Sequence, residues 1–151
     1  MIGYEHYGAY LFEIQKYLKG DKKNKSIFEK IEDDNYQPIS WIDFFFMKKL
    51  HIFGLSYDFS EQHLWWLLNF RAKQIKRNKI SKEKINTIYY YYSESQDKCP
   101  DEISKYVKQL SNKKMKEAKI DLFNSLGVET VRIEIINNDY KDYFNQVLKK
   151  I

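Results

Sequence analysis

A short apolar run, Leu50-His51-Ile52-Phe53, ends in Gly54-Leu55-Ser56, and a helical pattern starts at Glu61. Gly54 permits close backbone approach and Ser56 offers a hydroxyl. The free N–H groups at a following helix start favour negative charge, so this turn suits a phosphate or a ribose. It is a lone Gly-x-Ser and not a G-x-G-x-x-G, and a glycine that lets strand and helix pack closely explains the same residues. A second feature is the basic stretch Arg71, Lys73, Lys76, Arg77, Lys79, Lys82 and Lys84. It fits a track for a phosphate backbone. It fits equally a solvated helix end whose cations complement the C-terminal dipole, and it holds no aromatic residue for base stacking. His51 reads as a packed or edge histidine. His6 and His63 have no partners at metal-ligand spacing, so no metal is assigned. Cys99 precedes Pro100 in a polar loop with no neighbouring histidine and reads as an exposed thiol rather than a nucleophile. Asp58 and Glu61 have acid–base chemistry, with helix capping as their simpler role.

The elements that must position these residues follow from periodicity. Tyr4, Tyr7, Leu11, Ile14 and Leu18 predict a helix ending at Gly20. Ser26 caps a short helix over Ile27–Ile31, and Ser40-Trp41-Ile42-Asp43 forms a capping box before a helix over Trp41–Phe46. Strands are expected at Leu50–Leu55, Ile85–Tyr92 and Thr130–Ile136. Helices are expected from Glu61 to about Lys76 with Ser60 as N-cap, from Asp101 to about Leu126 with a break near Ser111-Asn112, and from Asp139 onward. The first half of the Glu61 helix is apolar nearly all round, which places Trp65 and Leu68 in the core.

Strands alternating with long helices argue for an α/β fold with parallel strands. The expected architecture is a small Rossmann-like three-layer domain with about three mainly parallel strands. Residues 1–47 are its helical N-terminal segment and 48–151 a half-Rossmann βαβαβα unit. Ligands of such sheets bind beyond the carboxyl ends of the strands. The 151 residues suit one domain. With 43% hydrophobic and 17% aromatic residues the chain is not a disordered or linker protein. Mean hydropathy is −0.68 and no apolar run approaches ~18 residues, so no membrane span is expected. A single cysteine fits a reducing compartment, hence the cytoplasm. The net charge of +5 rests on lysine, with only three arginines, and reads as solvated surface.

Several of these runs together resemble a known family. They are Ser40-Trp41-Ile42-Asp43-Phe44-Phe45-Phe46, His51-Ile52-Phe53-Gly54-Leu55-Ser56, Ser60-Glu61, and Leu64-Trp65-Trp66-Leu67-Leu68 with Arg71 a turn later. The pattern resembles the C-terminal part of the SIR2-like (sirtuin-like, AbiH-related) domains of bacterial and phage-related proteins. Asn86 to Tyr92, Val131 to Ile136, Tyr140 and Phe144 continue it. The resemblance implies a Rossmann-like fold for NAD or an ADP-ribose-like nucleotide, with Gly54 and Ser56 touching it and the strand that begins near Asn86 bordering it. Complete members carry a Gly-rich first turn and a catalytic Asn and His in their N-terminal half, and no Gly-rich turn precedes residue 54 here. The expectation is a partial domain tied to phage defence. It would be catalytically inert alone and act as a homo-oligomer or with a protein partner. Two alternatives stay open: an NAD-consuming hydrolase that needs a partner or oligomer, and a basic nucleic-acid-binding regulator.

Overall fold

A computed structural model describes residues 4–54, 61–95, 103–135 and 140–151. The element order is α1 (Tyr4–Lys19), α2 (Ile27–Glu32), α3 (Trp41–Met47), β1 (Leu50–Ile52), α4 (Gln62–Lys76), a 3-10 turn (Lys82–Lys84), β2 (Ile88–Ser95), α5 (Ile103–Ser125), β3 (Glu129–Ile135) and α6 (Tyr140–Leu148). The chain divides into two compact units. One holds residues 1–50 and 57–86, and the other holds 51–56 and 87–151. No helix among the described residues is long and apolar enough to cross a membrane.

The first unit is helical, and its short helices are fixed by their caps. The Ser26 hydroxyl accepts the Glu29 N–H at 3.3 Å, and Glu29 takes the Ser26 N–H in return at 2.7 Å. Ser40 and Asp43 reproduce that box at the start of α3, at 3.1 and 3.2 Å. Two reciprocal bonds satisfy donors that a six- or seven-residue helix would otherwise leave open. Ile14, Leu18, Ile27, Ile31, Phe45, Phe46, Leu67 and Leu68 are buried.

Gly20 ends α1 with φ +68°. Its backbone N–H reaches back to the Lys16 carbonyl at 3.1 Å, and a Cβ there would lie 2.5 Å from the Asn24 oxygen and the Ser26 nitrogen. Both obstacles are backbone, so neither can swing aside. Gly20→Ala is therefore expected to cost more than the ~1–2 kcal/mol of a left-handed alanine alone. Chemical denaturation checks this, and a variant as stable as the parent would show that the Asp21–Lys25 loop moves freely.

The second unit contains an open sheet of order β1-β2-β3, all parallel, so the Rossmann-like α/β expectation holds. In the register of β2 and β3, Tyr91 faces Val131, Tyr92 faces Arg132 and Glu94 faces Glu134. Alternation along the strands sends Tyr89, Tyr91, Ile133 and Ile135 to one face and Tyr90, Tyr92, Arg132 and Glu134 to the other. The first set packs with Tyr143 and Val147 of α6. On the second face Tyr90 meets Phe123 of α5, ring centroids 4.4 Å apart. Gly127, at φ +73°, closes α5.

Four expectations need correction. The second strand spans Ile88–Ser95 and not 85–92, because Asn86 is committed to the helical unit (below) and the ladder with β3 extends to Ser95. β1 stops at Ile52, ahead of the left-handed Gly54. Helix α5 runs unbroken through Ser111-Asn112. Finally, Trp65 is half-buried: Leu67 and Leu68 carry the core side of α4, and the polar Arg71 and Gln74 are buried with them. An all-round apolar sequence marks several contacts without saying which is deepest.

Candidate functional site

The carboxyl ends of the three strands are the ligand-binding side of an open α/β sheet. Gly54 lies there, past the end of β1. It is exposed, with φ +72°. A Cβ would sit 3.7 Å from Phe144, an ordinary contact, so its backbone conformation and not close packing asks for glycine. Its amide is bonded to the Tyr143 hydroxyl, which itself donates to the Tyr91 carbonyl at 2.8 Å. Tyr143 is 4% exposed. Burial pushes its hydroxyl up, against the pull of the Gly54 amide. One phenol thus ties α6, the end of β1 and the middle of β2 together. Ser56, Asp58, Ser60 and Cys99 lie outside the described residues.

His51 is held on the same face as that phenol. Its ring stacks on Tyr89 at 5.1 Å and Tyr91 at 5.8 Å, and Nδ1 shares a 2.9 Å hydrogen bond with the Tyr91 hydroxyl. Burial pushes the Tyr91 hydroxyl up. The packed-histidine expectation fits this geometry.

Asn86 belongs to the helical unit and stands just ahead of β2 in the chain. Its Oδ1 accepts from Arg71 Nε at 3.0 Å, and its Nδ2 donates to the carbonyls of Phe45 and Lys48, both at 2.9 Å. Arg71 Nη2 also donates to the Asn86 carbonyl. These bonds make Asn86 a bracket between α3 and α4 inside the helical unit.

The same contacts break up the basic stretch. Arg71 is 2% exposed, and burial lowers its guanidinium to about 10. Lys84 is tied to Asp34 at 2.5 Å and to the Glu32 carbonyl at 2.9 Å. Lys73, Lys76, Arg77 and Lys79 stay exposed. A continuous cationic track from Arg71 to Lys84 is therefore not what the fold presents.

Sequence reading missed a dense polar cluster around Asp43. Asp43 is fully buried in the helical unit. Its Oδ2 accepts from Tyr17 at 2.7 Å, Tyr36 at 2.9 Å and the N–H groups of Ile39 and Ser40 at 3.2 Å. Its Oδ1 faces the buried Lys30 ammonium at 3.2 Å, and that ammonium sits 3.8 Å over the Tyr17 ring. Beside it opens a cleft of about 700 Å³, lined among others by Tyr10, Ile14, Lys30, Tyr36, Trp41 and Ile42. The polar groups of its floor are bonded to one another, so the cluster is built to join α1, α2 and α3. The capping-box spacing found Asp43, but nothing local announced its other partners.

Among the described residues, no group of three or more His, Cys, Asp or Glu is placed to hold a metal ion. No family model, curated protein or solved structure matches this chain.

Proposed function

We propose that this chain is a nucleotide-binding module, a partial SIR2-like domain that binds NAD or an ADP-ribose-like ligand without cleaving it alone. In this reading it acts in the cytoplasm in phage defence, as a homo-oligomer or docked on a protein partner. The observation that carries it is an exposed, left-handed Gly54 just past β1 in an all-parallel sheet, the position at which such sheets take ligands. A bound ligand at 100 times its Kd adds about 2.7 kcal/mol of stability. For a chain of this size that corresponds to a Tm rise of roughly 5–10 °C. Thermal unfolding with NAD and with ADP-ribose is expected to show such a rise, with no nicotinamide released. Absence of any shift at millimolar ligand would sink the reading. Nicotinamide release that disappears in Ser56→Ala would replace it with the hydrolase alternative.

A further inference from the structure

The α5 face of the sheet changes character along its length. Near its amino end Tyr90 packs on Phe123. Further along the same face come Tyr92 and Glu94 of β2, opposite Arg132 and Glu134 of β3. Parallel sheets normally bury both faces against apolar residues. Charge on such a face, toward the carboxyl ends of the strands, needs a reason.

Part of the charge is neutralised within the sheet. Arg132 meets Glu94 through Nε at 2.7 Å and Glu134 through Nη2 at 2.9 Å. Lys116 of α5 is different. Its ammonium donates to the Ser93 carbonyl and stands 5.2 Å from the Tyr92 ring centre. Among the described residues no carboxylate lies within ion-pairing distance of it. It is half-buried, and it lines a cleft of about 240 Å³ with Tyr92, Lys113 and Arg132 and the carboxylates Glu94, Glu117 and Asp121, none of which pairs with it directly. Burial lowers the ammonium, with Glu94 acting against that at longer range and Arg132 adding to it. A carbonyl and a ring face hold the group in place, yet neither carries a counter-charge. A partly desolvated cation of this kind gains most from an incoming anion.

We propose that Lys116, with Lys113 beside it, forms an anion site for a phosphate group. The site lies on the α5 face toward the carboxyl end of β2. That the phosphate belongs to a nucleotide rests on the reading above, whereas the anion site stands on the cluster itself.

The test titrates the whole chain with inorganic pyrophosphate and, separately, with ADP-ribose, by calorimetry. Lys116→Met keeps the aliphatic stem and removes the charge. It is expected to weaken pyrophosphate roughly tenfold to a hundredfold, the range for a lost hydrogen bond to a charged group. Lys116→Arg retains charge and donors and should restore most of the affinity. Lys114→Met, an exposed neighbour on the same helix, should leave it unchanged. Equal binding by the parent and Lys116→Met, equal losses in Lys116→Met and Lys114→Met, or no pyrophosphate binding by the parent would each overturn the site. Two outcomes separate the readings. ADP-ribose and pyrophosphate both bound alike by parent and Lys116→Met keep the nucleotide module and remove this site. Pyrophosphate binding that needs Lys116, without any nucleotide binding, does the reverse. Thermal unfolding of each variant confirms that it is folded.

Discussion

Asp43→Asn is expected to lower the free energy of unfolding by about 3–5 kcal/mol, the loss typical when one partner of a buried ion pair is removed. Asp43 is the shared acceptor of two phenols, two backbone amides and the Lys30 ammonium. Asparagine has one oxygen in place of two, and its amide nitrogen points donors at donors. Lys30, 5% exposed, would keep its charge with no other carboxylate at ion-pair distance among the described residues. Lys30→Met should cost less, because Asp43 then retains its four neutral donors. The double variant Lys30→Met/Asp43→Asn should recover part of the loss, since it removes the stranded charge. Urea unfolding of the three variants measures this. A single Asp43→Asn variant within ~1 kcal/mol of the parent would mean that water reaches the cluster.

The same cluster sets a pH dependence. Burial tends to raise the Asp43 carboxyl, but the bonds from Tyr17, Ile39, Tyr36 and Lys30 outweigh it and hold it below the ordinary 3.8. A carboxyl held low in the folded state binds its proton more readily when unfolded. Its stabilisation is therefore fully present well above pH 4 and is lost as pH falls through the folded value. For Lys30, burial acts downward, while Tyr17, Tyr36 and Asp43 lift the ammonium above its ordinary 10.5. Its contribution is present at neutral pH and is lost only as alkaline pH passes that raised value. The parent should thus lose stability below about pH 4, and Asp43→Asn should show a flatter profile across that window.

Arg71→Met is the second large effect, at about 2–4 kcal/mol. Methionine fills much of the volume but donates nothing. The Oδ1 and the carbonyl of Asn86 would then lose their Arg71 donors in a partly buried place, at ~1–3 kcal/mol for each unsatisfied group. Asn86 also anchors the carbonyls of Phe45 and Lys48, so the damage should spread from α4 to α3. Hydrogen exchange is expected to show faster opening in both helices. If Arg71→Met melts with the parent, the guanidinium is not the link between them.

Much of this fold was legible locally. The boxes at Ser26-Glu29 and Ser40-Asp43 and the left-handed Gly20 and Gly127 act over three or four residues, and residue type alone announces them. Alternation of strands with long helices sufficed for a parallel sheet. Gly54 was also legible, although its left-handed backbone and the Tyr143 bond to its amide were not.

What only the tertiary structure decided are the places where distant side chains converge. Asp43 gathers Tyr17, Lys30 and Tyr36 from separations of 26, 13 and 7 residues. Arg71 reads in sequence as the first of a surface cationic run, yet the fold buries it against Asn86, fifteen residues on. Lys116 is one lysine among many on α5 until the sheet brings Ser93 and Tyr92 against it. Periodicity reports which face of an element is apolar because that depends on near neighbours. Whether a charged side chain is solvated, paired or left desolvated depends on what the fold lays beside it, and the dielectric and partners it meets there are properties of the packed unit.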